Sequence, residues 1–192
     1  MNYELFMGEA LAEARVALAA GARPIAAVAV VNDAMVARAH DRLHESNDPT
    51  AHAVIVALRE AARRLGTARL AEATIFTTLE PCAMCVGALL ETDVEALVYA
   101  CPNDVDGAAG TVLQLAQHPD LPRRLRLVTG IRRDEAEELF GAQPRTEATG
   151  TRTGRTHARG SSVAASAVPV GLAGTAADGS PRSKTATRSG SR

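Results

Sequence analysis

Three side chains in this 192-residue chain have the types and spacing of a metal site. Cys82 and Cys85 stand three apart directly behind Pro81, and His52 lies thirty residues upstream of Cys82. Zinc takes about four soft or borderline ligands in a tetrahedron. Two thiols three apart on the first turn of a helix point to one side, and a helix N-terminus favours the thiolate that binds metal. His52, expected near another helix start, supplies a nitrogen. Three protein ligands leave the fourth position open to water, which distinguishes a catalytic zinc from a structural one. Each half alone has a plainer reading: a Cys-x-x-Cys pair as a redox couple, a lone histidine as a core residue. The combination makes Zn2+ the expected cofactor.

The segments that carry these residues read DPTAH (48–52), TTLEPCAMC (77–85) and DGAAGT (106–111). They resemble the zinc deaminases that act on nucleobases, whose signature is H-x-E…P-C-x-x-C. Within that cytidine/deoxycytidylate deaminase-like superfamily they look like bacterial tRNA adenosine deaminase and its relatives among nucleoside and guanine deaminases. The resemblance spans about residues 3–140. It implies a cytidine deaminase-like three-layer αβα sandwich, a homodimer, and hydrolytic loss of a ring amino group as ammonia. Carried over by motif, His52, Cys82 and Cys85 are the zinc ligands, and the backbone near Ala53 and Cys82 lines the substrate pocket.

Three departures from the pattern bear on function. The family places Glu two residues after the histidine, where it takes a proton from the attacking water and delivers it to the ring nitrogen and the leaving amine. Here that position is Val54, which carries no proton. Loss of a general acid–base costs about 10²–10⁴ in rate. Glu80 belongs to the Leu-Glu-Pro-Cys turn and is expected to be structural; Asp41, Glu45 and Asp48 precede His52, but none is placed by motif to take over. Val54 is a natural loss or an altered residue, the two together ranking above rescue by another group; it also suits the buried face of a helix. The second departure is Asp41, which stands where the family has a base-contacting Asn. It would favour a ring offering N–H donors, or it caps the strand end. The third concerns RNA. Glu91, Asp93, Glu95, Asp104 and Asp106 lie where RNA-binding relatives are basic, and the one basic cluster, Arg123, Arg124, Arg126, Arg132 and Arg133, is expected to balance nearby acids. Cys101 reads as a small buried hydrophobe, His40, His44 and His118 as surface or packing histidines, and Gly107–Gly110 as a turn.

The elements that must position these residues alternate. Apolar spacing predicts a helix over 3–20, stopped by Gly21. Runs at 25–31 and 34–39 flank Asn32-Asp33 and predict a hairpin. Asp48-Pro49 reads as an N-cap followed by Pro, opening a helix that ends near Gly66. Strands are expected at 73–79, 94–100 and 125–129, and helices at 81–91, 111–117 and 132–140. Strand–helix–strand connections imply parallel neighbours with right-handed crossovers. The expected fold is α/β, a mixed five-stranded sheet between helix layers.

Composition sets the outer bounds. Hydrophobic residues are 46% and charged residues 22%, the globular range. No apolar run approaches ~20 residues, so no membrane partner is expected. The N-terminus lacks a basic segment, so no signal peptide is expected, and three cysteines suit a reducing, cytoplasmic compartment. Aromatics at 3% do not make a stacking platform for single strands. The net charge of −1 hides two halves: residues 1–140 carry 13 Arg, no Lys and 20 carboxylates, net −7, and residues 141–192 are net +6. The latter segment, rich in Ala, Gly, Ser, Thr and Arg, reads as a disordered, solvated tail. An RNA-touching arm and a frame-shifted stretch stand beside that reading. The domain reading is thus 1–140 for the deaminase-like unit and 141–192 for the tail.

The sequence therefore points to a zinc-dependent deaminase of a purine-like base or nucleoside, impaired at Val54. A tRNA adenosine deaminase, disfavoured by the acidic domain, and a non-catalytic partner of an active homologue are the alternatives.

Overall fold

The computed structural model describes residues 1–142. All but the first two residues of the tail reading lie outside the described residues.

Helix α1 (Tyr3–Ala19) is capped by Asn2, whose side chain accepts the Leu5 N–H at 3.1 Å. Strands β1 (Ala26–Val31) and β2 (Ala34–His40) form an antiparallel hairpin. Its turn residues, Asn32 and Asp33, have φ of 50° and 58°, the left-handed pair that a two-residue hairpin turn requires and that Asn and Asp tolerate. A short helix α2 (Leu43–Ser46) precedes α3 (Ala53–Leu65), which ends on Gly66 at φ 67°. Then come β3 (Ala73–Leu79), α4 (Ala83–Glu91), β4 (Ala96–Cys101), β5 (Arg126–Thr129) and α5 (Arg133–Gly141).

The sheet order is β2-β1-β3-β4-β5. β1 runs antiparallel to β2 and β3, while β3, β4 and β5 are parallel. Alternation along β1 assigns the two faces. Val28 and Val30 pack with Phe6, Met7 and Leu11 of α1 and with Phe76 and Ala136. Ala27 and Ala29 pack with Leu58 of α3 and Val86 and Leu89 of α4. α1 and α5 thus cover one face and α3 and α4 the other, the expected three-layer sandwich.

Two local expectations are corrected. Residues 111–117 do not form a helix. Ala109 bridges to Gln114, the Val112 and Leu113 N–H groups donate to the Gly107 carbonyl, and Val112 and Leu113 are exposed. The acceptor that holds Thr111 is Glu80, 31 residues away, so tertiary bonding overrides the local apolar pattern. Nor does Asp48 open α3. Its Oδ1 accepts from the Thr50 N–H and hydroxyl at 2.8 and 2.6 Å, a closed local turn, and the helix begins at Ala53.

Candidate zinc centre

The candidate centre forms where two helices on one side of the sheet begin. His52 occupies the N-cap position of α3 and Cys82 that of α4, each with extended backbone, so each side chain stands off its helix start. Cys82 follows the carboxyl end of β3 after the turn at Glu80-Pro81, the edge at which open α/β sheets place their ligands. Cys85, one turn into α4, is buried beneath it. The ligand atoms of His52, Cys82 and Cys85 lie within 4.8 Å of one another. His52 Nδ1 is 3.6 Å from each sulfur.

Those distances test whether a metal fits. With Zn–S of about 2.3 Å and Zn–N of about 2.0–2.1 Å, a tetrahedral ion separates its S and N ligands by about 3.5–3.6 Å. The observed spacing suits zinc. The thiols are polarised in opposite senses. Hydrogen bonding from the Cys85 thiol, helped by the Cys85 N–H and by His52, draws Cys82 down to about 5 against the opposing effect of burial. The bond to Cys82 and burial push Cys85 up, with Asp41 and Asp106 adding to the effect. A thiolate facing two helix N-termini is a metal-ready donor.

A cavity of about 670 Å³ opens beside these residues, within the ordinary size range of small-ligand sites. Its wall includes Val54, Asp41, Ala53, Glu80 and Asn103. Val54 is 3% exposed and also belongs to the core under α3. Asp41 Oδ1 accepts the Ala53 N–H at 2.7 Å. Burial raises the Asp41 carboxyl above the usual range, against the opposing pull of that N–H and of His52. Asp41 therefore stands both at the cavity and at the start of α3.

Other residues fall out in several ways. Cys101 is buried on the opposite side of the sheet, 3.7 Å from the Arg133 carbonyl, with its thiol pushed up to about 11 by burial. It takes no part in the metal cluster. Arg123, Arg126, Arg132 and Arg133 pair with Asp93, Glu95, Glu135 and Glu137, and Arg124 donates to the Pro119 carbonyl. His40 reaches the cavity wall and is 2.7 Å from Glu13, which Arg38 also holds at 3.0 Å. The sequence reads His40 as a surface or packing histidine; the signal that pairs it is Glu13 on the inner face of α1, 27 residues earlier. Asn103 was missed as well. It donates from Nδ2 to the Glu80 carbonyl at 3.3 Å and to Asp106 Oδ1 at 2.6 Å.

Comparison with known proteins agrees with this geometry. Residues 1–101 match the cytidine and deoxycytidylate deaminase zinc-binding region. The tRNA-specific adenosine deaminase of Bacillus subtilis is 37% identical over 139 residues, which cover 72% of this chain and 86% of that protein. A structure solved in a study of A-to-I editing by tRNA:A34 deaminases at the wobble position superposes with a TM-score of 0.68. It has 35% identity, covering 70% of this chain and 98% of the other. Guanine deaminase from Nitrosomonas europaea superposes with a TM-score of 0.61 at 29% identity, covering 73% and 83%. Among the described residues no helix is long and apolar enough to cross a membrane. The chain belongs to the cytidine and deoxycytidylate deaminase family of zinc-dependent hydrolases that act on C–N bonds.

Proposed function

We propose that the chain is a hydrolytic deaminase by descent that binds a purine-like base or nucleoside, with turnover impaired at Val54. His52, Cys82 and Cys85 hold the zinc in this reading, supported by the 3.6 Å N···S spacing. When bound, zinc supplies the Lewis acidity that makes water nucleophilic near neutral pH. The chain's own residues must then bind the ring and move protons. Asp41 accepts ring N–H groups, and the backbone at Ala53 and Cys82 walls the pocket. The observation that carries the impairment is Val54 on the cavity wall, 3% exposed and without a titratable group. Glu80 does not replace it, because its oxygens are engaged by residues 103–111. Asp41 has one oxygen committed to Ala53.

The test is ammonia release from a panel of purine and pyrimidine bases and nucleosides, comparing the chain as it stands with Val54→Glu, both zinc-loaded. Only Val54→Glu is expected to turn over, by at least about 10²-fold over the parent. Equal activity in both would refute the proton-shuttle argument. The reading also includes a homodimer in the cytoplasm, with residues 1–140 carrying the function.

A second reading, deamination of adenosine in tRNA, is favoured by the names of the Bacillus subtilis relative and of the wobble-position structure. The paired arginines and the net charge of −7 over residues 1–140 weigh against it. A third, a non-catalytic partner of an active homologue, is favoured by Val54 itself and predicts a stable heterodimer by native mass.

A further inference from the structure

We propose that Glu80 is a positioning residue: it keeps the Cys82 turn in register with the loop over residues 103–111, and metal retention depends on it. The inference rests on reading His52, Cys82 and Cys85 as the ligand set.

Glu80 is 1% exposed, and among the described residues no cation pairs with it. A buried carboxylate in that position persists only if its oxygens are fully hydrogen-bonded. Here one loop supplies every donor. Glu80 accepts from the N–H groups of Asn103, Ala109 and Thr111 at 3.2, 2.8 and 3.1 Å, and from the Thr111 hydroxyl. The same loop grips the next two residues through the backbone. Ala108 N–H donates to the Pro81 carbonyl at 2.8 Å, and Gly107 bridges to Cys82. The carboxylate and the ligand turn are therefore clasped by one segment that is distant in sequence.

Gly107 shows how tight the clasp is. A Cβ built on it would lie 2.6 Å from the Asn103 carbonyl oxygen and 2.7 Å from the Glu80 carboxyl carbon. No side chain fits there without moving the backbone of the loop or the carboxyl group itself. Cys82 sits ahead of α4, tied to it by its carbonyl, which accepts the Val86 N–H at 2.9 Å, and by its sulfur, which accepts from the Cys85 N–H and thiol. The loop fixes the remaining freedom of the turn, and with it the distance from the Cys82 sulfur to His52.

Replacing Glu80 by Gln puts an NH2 group against backbone donors and leaves at least one of the four unpaired. Replacing Gly107 by Ala strains the same clasp from the other side. Both variants are expected to keep the native far-UV circular dichroism and to lose zinc affinity by about 10–100-fold, the range for disturbing the partners behind metal ligands. Their cobalt(II) complexes are expected to show altered d–d bands and weaker thiolate charge transfer. Thr111→Ser keeps the hydroxyl donor and is expected to keep affinity. Leu11→Ala, in the core on the far side of the sheet, is expected to lower Tm without touching the cobalt spectrum. Should Glu80→Gln fail to fold, Thr111→Val removes a single donor and carries the same test. Unchanged affinity and spectrum in the clasp variants overturn the proposal, as does an equal affinity loss in Leu11→Ala. A parent chain with no cobalt–thiolate spectrum overturns the ligand reading, and this proposal with it.

Discussion

The Asp41 carboxylate holds the first N–H of α3: Oδ1 accepts from Ala53 at 2.7 Å, across twelve residues of sequence. The bond ties the end of β2 to the start of the helix that presents His52. It makes one side chain responsible for two properties, the position of the candidate ligand His52 and the charge at the cavity.

Substitution separates those properties. Asp41→Asn keeps an oxygen for the Ala53 N–H and removes the charge. Asp41→Ala removes both. The alanine variant is expected to cost about 0.5–2 kcal/mol, as other lost helix caps do, read as a Tm drop of a few degrees. The asparagine variant is expected to stay near parental Tm. If Asp41 accepts ring N–H groups, Asp41→Asn also weakens binding of guanine-type rings relative to adenine-type rings by about tenfold, measured by calorimetry on zinc-loaded protein. Unchanged relative affinity would leave Asp41 as a cap alone.

Metal removal provides a second check. A ligand that binds only the folded chain stabilises it by about 4 kcal/mol at a thousandfold excess over its Kd. Chelation is therefore expected to lower Tm by several degrees and to free the Cys82 thiolate, which at about 5 is ionised at neutral pH. Iodoacetamide should then label Cys82 rapidly, and zinc should block the labelling. Cys101 stays silent in both states, because burial holds its thiol up at about 11. Cys82→Ser and Cys85→Ser are expected to abolish stoichiometric zinc, and Cys101→Ser to retain it.

Much of this was legible in the sequence, and what was not has an identifiable cause. The hairpin was readable because Asn32-Asp33 carries its own turn geometry, and the gathering of His52, Cys82 and Cys85 because all three stand in the first turns or caps of helices. The helix expected over 111–117 failed because its apolar residues follow a segment held by Glu80, a partner that local periodicity does not reveal. The start of α3 was misplaced for a related reason. Asp48 spends its side chain on Thr50, and the cap comes from Asp41. The pairing of His40 with Glu13 and of Asn103 with Glu80 is not legible locally, because the partners lie 27 and 23 residues away. Local signals located elements; side chains that join distant elements did not show in them.

The arginine pairs make a sharp statement about RNA. Arg123, Arg126, Arg132 and Arg133 each hold a carboxylate. Phosphates would have to displace those acids, in a domain whose net charge over residues 1–140 is −7. Gel-shift titration of tRNA at about 50 mM salt is expected to show no binding steeper than that of a nonspecific polyanion. A salt-dependent complex with a log–log slope of several units would instead establish phosphate contacts and favour the tRNA reading.

Val54→Glu links stability to metal with a definite sign. The parent side chain is 3% exposed among Ala57, Leu58 and the helix core. A carboxylate placed there without a partner is costly, so metal-free Val54→Glu is expected to unfold several degrees below the metal-free parent. Were zinc held by His52, Cys82 and Cys85, which line the same cavity as Val54, its positive charge would offset much of the new carboxylate's desolvation cost. The Tm deficit of Val54→Glu should therefore shrink on zinc addition, and the zinc-induced rise in Tm should be larger in the variant than in the parent. Thermal unfolding of four samples, parent and variant with and without zinc, reads this coupling directly. A deficit that zinc leaves unchanged would place residue 54 too far from the metal to serve as its proton shuttle, and would break the argument that the valine is what disables the site.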